Sequence, residues 1–182
     1  QKLAHFRKLL ETSRLSIEEW LSLWGTINTH GEHSLYLRLF QNKKVISPVN
    51  EDFKDFALSE DLNDLKIAIS TSPLQVLTDS HKSTILAALR INSVELELLS
   101  AHGINDGHLT LANLSRLYRH ALLARLLRIR IVELLNFQKL ITINPFVDPE
   151  KTSLFIAEVD RVKSSAFKLI QLNYLYLNDP DA

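Results

Sequence analysis

The stretch from Leu111 to Arg128, LANLSRLYRHALLARLLR, constrains the fold of this chain more than any other. Thr110 stands before it as a capping residue, and the run behind it is the longest helical pattern in the sequence. On a wheel of about 100° per residue, Leu114, Tyr118, Ala121 and Leu122 form one apolar stripe, continued by Ile129. Leu117, Leu123, Ala124, Leu126 and Leu127 point in other directions. A helix that is apolar nearly all round must be covered by neighbours on most sides, so this segment is expected to be a central helix of an all-α body. Arg125 falls on the apolar stripe. Because burying an unpaired guanidinium is prohibitively costly, Arg125 is the candidate for a structural ion pair with a carboxylate.

Helical periodicity governs the rest of the chain as well. Ser16-Ile17-Glu18-Glu19 is a capping box, and Ile17, Trp20, Leu21, Trp24 and Ile27 follow at helical spacing, which predicts a helix ending near Gly31. Ser34 can cap a short helix over 35–41, and Asn42 to Asn50 reads as a connector that Phe53 and Phe56 pin to a core. Leu62, Leu65 and Ile69 give another apolar face, and Ser72-Pro73 pairs a cap with a first-turn Pro. Further helices are expected from Asp79 or Ser80 to Arg90, with Ile85, Leu86 and Leu89 inward, and from Val94 to His102, started by Asn92 or Ser93 and with Gly103 offering the left-handed position behind it. Ile131 to Leu140 follows, then a helix through about Lys163 with Asp148 as cap and Pro149 at the first position, and a last one from about Lys168 to Leu177. Strand-like alternation never persists and no unit of 30–45 residues repeats. The fold class is therefore all-α, an irregular multi-helix bundle, with residues 1–182 as a single helical domain.

Composition narrows the function. Lys plus Arg and Asp plus Glu each number 21, so no net field draws the chain to nucleic acid or to an anionic membrane. The charge is nonetheless polarised: residues 46–106 carry 10 acids against 4 bases, and residues 107–145 carry 1 acid against 6 bases, a pattern suited to docking between neighbouring parts. With no Cys there is no disulfide framework, thiolate metal site or cysteine nucleophile. No apolar run reaches the ~18–20 residues of a spanning helix, so no direct membrane contact is expected. The chain opens Gln1-Lys2-Leu3-Ala4-His5-Phe6-Arg7 in an amphipathic pattern without Met, and we expect it to be an excised piece of a longer protein whose missing neighbours leave Leu3, Phe6 and Leu10 lining an apolar patch.

Patterns that would carry chemistry are weak. His30-Gly31-Glu32-His33 sets two imidazoles at i, i+3 across a helix-ending Gly, whereas a helical zinc pair needs i, i+4; a polar helix terminus explains it better. Asn105-Asp106-Gly107-His108 lacks the further ligands of a calcium loop and reads as a turn. Ser and His are present without nucleophile-elbow, phosphate-loop or zincin spacing, so no catalytic residue, cofactor or metal is assigned. Arg116, Arg119 and Arg130 share one side of the long helix away from Arg125, a spread unsuited to gripping phosphates. Five of the 7 His residues, His30, His33, His81, His102 and His108, fall at expected helix ends or turns. His120 sits beside Arg116 and Arg119, where like charge would disfavour the imidazolium, and it is the candidate pH-sensitive group.

Several segments, in order, carry a resemblance: Leu23-Trp24-Gly25-Thr26-Ile27, then Ser34-Leu35-Tyr36-Leu37-Arg38-Leu39-Phe40-Gln41-Asn42, then Leu111 to Arg125, Asn144-Pro145-Phe146, Ser165-Ala166-Phe167 and Leu172-Asn173-Tyr174-Leu175. Across most of residues 20–176 they resemble the α-helical shell of the A subunit of Tc (toxin complex) insecticidal toxins. Leu37, Gln41 and Ala166 depart from the Asp, Leu and Gly common there.

The resemblance implies a segment of a large secreted bacterial toxin that assembles as a pentameric bell and delivers a toxic enzyme into host cells through a channel opened by pH. Its implied partners are the remainder of the same chain and the neighbouring protomers. The B and C toxin components and the host receptor would be met by other regions. The segment is implied to be non-catalytic. A free-standing helical protein-interaction module is the alternative, and an enzyme with a cryptic site is a third. Any pH trigger is expected to lie in contacts with segments outside this chain.

Overall fold

The computed structural model describes residues 2–49, 53, 79–103, 110–165 and 171. Among these, 68% are helical and no strand occurs, so the all-α expectation holds. Eight helices follow one another: α1 (Lys2–Thr12), α2 (Ile17–Trp24), α3 (Leu35–Phe40), α4 (Asp79–Leu89), α5 (Ser93–Gly103), α6 (Leu111–Leu127), α7 (Ile131–Leu140) and α8 (Pro149–Lys163). The helices expected around 62–69 and 168–177, the Ser72-Pro73 cap, Phe56 and the Asn105–His108 turn lie outside the described residues.

Capping chemistry sets most helix starts. The Ser16 and Glu19 side chains each accept the other's backbone N–H, at 3.2 Å for Ser16 Oγ and 2.8 Å for Glu19 Oε2. Asn92 and Glu95 repeat the arrangement before α5, with both bonds at 3.0 Å. Thr110 Oγ1 accepts the Asn113 N–H at 3.2 Å, and Asp148 Oδ1 accepts the Lys151 N–H at 2.9 Å. Pro149 opens α8, where its missing N–H costs nothing.

Two helix ends depart from expectation. Helix α2 ends at Trp24, well short of Gly31, because the backbone beyond it is taken by partners elsewhere in the chain. The Ile27 N–H donates to Ser115 Oγ (2.9 Å), the Gly25 carbonyl accepts from Arg119 (3.2 Å) and the Asn28 carbonyl accepts from the Tyr36 N–H (3.0 Å). Gly103 closes α5 as a helical residue and does not take the left-handed conformation. That conformation appears instead at two arginines, Arg90 (φ 57°) and Arg128 (φ 54°). Behind α4 the Ile91 N–H reaches the Leu86 carbonyl and the Arg90 N–H the Ala87 carbonyl; behind α6 the same pair joins Ile129 to Ala124 and Arg128 to Arg125. Both are Schellman closures built without glycine.

The chain divides into two compact units. One comprises Gln1–Trp24 and Leu123–Ala182; within it α1 packs on α8, and Trp20, Leu23, Leu134, Phe155 and Val159 are buried. The Trp20 and Trp24 rings stack 6.1 Å apart, and Phe6 meets Trp24 edge-on at 5.8 Å. The other unit comprises Gly25–Leu122, in which α3 packs on α4. Tyr36, Phe40 and Phe53 lie at its core, with Phe40 stacked on Phe53 at 5.2 Å. The Tyr36 hydroxyl and Gln41 Nε2 both donate to the Phe53 carbonyl, so Phe53 does pin the connector. Along α6, Leu114, Leu117, Leu122 and Leu123 are all buried, so burial extends around the helix as its sequence predicts.

Candidate functional site

The residues singled out by sequence separate in space. Arg125 is exposed, which corrects its assignment to the buried stripe. It lies in the last turn of α6, where a long side chain can leave the stripe along which its Cβ points. His30 and His33 are also exposed; the His30 N–H is held by Asn28 Oδ1 (3.0 Å), and Gly31 turns the chain with φ 87°. Among the described residues no three His, Asp or Glu side chains come together to hold a metal ion. No helix among them is long and apolar enough to cross a membrane.

Arginines on α6 hold carbonyl groups. Arg116 Nη1 donates to the Gly103 carbonyl (3.3 Å) and to Asn113 Oδ1 (3.4 Å). Arg119 donates to the Ser115 and Gly25 carbonyls, and burial together with Arg116 lowers its pKa. The bonds to Gly103 and Gly25 close helix ends, satisfying carbonyls that helix geometry leaves without partners.

His120 is buried, with 8% of its surface exposed. Its Nδ1 lies 2.7 Å from the Arg116 carbonyl, which makes that nitrogen the protonated one, and its ring meets His102 edge-on at 5.5 Å. The pKa falls to about 4. Desolvation contributes most, and His102 and Arg119 add repulsion, while the bond to Arg116 opposes the shift. Sequence reasoning pointed to repulsion by Arg116 and Arg119; burial is the larger cause.

What sequence reasoning missed is a cavity of about 500 Å³ inside the unit formed by 1–24 and 123–182. Leu9, Trp20, Leu126 and Ile156 give it apolar walls. Ser13, Arg128, Ser153, Asp160 and Lys163 supply its polar groups. Helix α8 contributes one face, because residues 153, 156, 157, 160 and 163 recur at i, i+3, i+4, i+7 and i+10. That mixed stripe was the signal in the sequence. Trp20 is fixed by its indole N–H donating to Ser13 Oγ (2.9 Å), and the Lys163 ammonium is fixed on the Leu127 carbonyl (3.0 Å) at the end of α6.

Long-range side-chain bonds tie the motif segments together. Trp24 Nε1 donates to Thr152 Oγ1 (2.8 Å) across 128 residues, and the Thr152 hydroxyl lies 2.6 Å from the Pro145 carbonyl, which accepts its proton. Ser115 Oγ, which donates to the Leu111 carbonyl, receives the Ile27 N–H across 88 residues. No protein-family model, curated protein or solved structure matches this chain.

Proposed function

We propose that this chain is a non-catalytic helical segment from the shell of a Tc toxin A subunit. In this reading it serves a secreted bacterial protein that carries a toxic enzyme into host cells. What supports the reading is where the resembling segments meet. Trp24 bonds Thr152, whose hydroxyl bonds Pro145 of the Asn-Pro-Phe segment, and Ser115 of the long helix bonds Ile27 of the first segment. The residues that carry the resemblance thus act as mutual fasteners, the work of a scaffold. On this reading the partners are the rest of the same chain and neighbouring protomers of a pentamer, with the B and C components and the receptor engaged elsewhere.

The parent reading frame is the direct test. A frame exceeding two thousand residues, whose purified product forms five-fold bells under the electron microscope, is the expected result. A frame closing just after Ala182 that yields a monomer would overturn the proposal in favour of a free-standing interaction module. A known catalytic motif beside this segment would overturn it in favour of an enzyme.

A further inference from the structure

The cavity between α1, α2, the end of α6 and α8 is rich in hydrogen-bond donors and poor in acceptors. Lys163 has three N–H groups and spends one on the Leu127 carbonyl. Ser13 Oγ receives the Trp20 indole N–H and the Leu15 N–H, leaving its own O–H to give. Ser153 Oγ is buried and has no hydrogen-bond partner among the described residues, a state that costs free energy until an acceptor arrives. Arg128, whose backbone is set by the Schellman closure, also lines the cavity and carries a guanidinium with five donors. Against these stands one lining carboxylate, Asp160, which is exposed like Lys163 and Arg128.

From this balance we infer that the cavity binds a small amphipathic monocarboxylate, its apolar body against Leu9, Trp20, Leu126 and Ile156 and its carboxylate toward Lys163 and Arg128. A volume of about 500 Å³ lies within the ordinary range for small-molecule sites. Two cations against one anion favour an anionic head over a neutral or cationic one, and charge-assisted hydrogen bonds are roughly twice as strong as neutral ones. The apolar walls exclude a simple inorganic anion as the best ligand, since they would gain nothing from it.

Octanoate, 1-octanol and octylammonium are suitable probes, titrated into the ¹⁵N-labelled chain. The two indole N–H signals report separately, because Trp20 lines the cavity and Trp24 bonds Thr152; loss of one signal in Trp24→Phe assigns them. Octanoate is expected to move the Trp20 signal saturably and to bind about tenfold tighter than octanol, with octylammonium weakest. Lys163→Gln keeps a donor for the Leu127 carbonyl but removes the charge, and should bring octanoate down to the octanol level. Asp160→Asn should tighten octanoate binding. Ala157→Trp, at an exposed position on the cavity-lining face of α8, should abolish binding of both. Equal binding of octanol and octanoate, tighter binding of octylammonium, or the absence of a saturable Trp20 shift would each overturn the inference. So would unchanged binding in Ala157→Trp.

Discussion

Replacing Thr152 by Val keeps the shape of a fully buried side chain and removes only its hydroxyl. That hydroxyl has three partners, the Trp24 indole N–H at 2.8 Å, the Pro145 carbonyl at 2.6 Å and the Asp148 carbonyl at 3.0 Å, and the first two are left orphaned. The Asp148 carbonyl keeps the Thr152 backbone N–H at 3.0 Å and is spared. Each orphaned group costs about 1–3 kcal/mol, with half-buried Trp24 toward the lower end, while the added methyl regains about 0.8 kcal/mol. The net loss should be about 2 kcal/mol. At a urea m-value of roughly 2 kcal/mol per M, the unfolding midpoint falls by about 1 M. Tryptophan fluorescence is the right assay, because both indoles belong to the unit containing Thr152 and report its unfolding alone. Thr152→Ser keeps both bonds and should cost less than about 1 kcal/mol. A double-mutant cycle with Trp24→Phe should show a coupling of about 1 kcal/mol. A Thr152→Val midpoint equal to that of the native chain, or zero coupling, would refute the fastening role assigned to this pair.

Three further outcomes follow from the geometry. Ser115→Ala leaves the buried Ile27 N–H without its acceptor and should cost about 1–3 kcal/mol, read as a lower urea midpoint in far-UV circular dichroism. Arg90→Gly removes the Cβ that makes a left-handed residue unfavourable, by about 1–2 kcal/mol, and gives back about 0.5–1 in the unfolded chain, so it should stabilise by several tenths to 1 kcal/mol. Arg90→Ala is the control, and a Gly variant no more stable than the Ala variant would contradict the argument. Because the folded pKa of His120 lies near 4, below the unfolded value of about 6.5, the neutral ring favours the fold. The associated stability is full above pH 6.5 and is lost as pH falls toward 4, by on the order of 3 kcal/mol, a gradual slope that His120→Gln should flatten in urea midpoints measured at pH 7 and 4.5.

Local rules were legible where local atoms do the work. Ser16 with Glu19, Asn92, Thr110 and Asp148 with Pro149 announce helix starts because cap and helix lie within four residues. The early end of α2 could not be read, since the groups that claim its continuation, Ser115 and Arg119, lie about ninety residues away. Arg125 misled because a helical wheel gives the direction of Cβ, while a long side chain at a helix end decides for itself where its charge rests. The direction of the His120 shift followed from its charged neighbours, but its burial depends on packing that no local pattern encodes. The cavity was half visible: α8 shows its mixed stripe, whereas the contributions of Leu9, Trp20 and Arg128 come from three other places in the chain.

The two left-handed arginines also bear on how this chain drifts over time. At Arg90 and Arg128 the backbone asks for glycine or asparagine, and selection has no steric reason to resist either. Descendants should exchange Arg90 freely for small turn-forming residues while the helix before it stays in register, whereas Arg128 is kept by its place in the cavity. The position of Arg90 would look variable in a set of relatives although its geometry is fixed, so variability there marks a preserved turn.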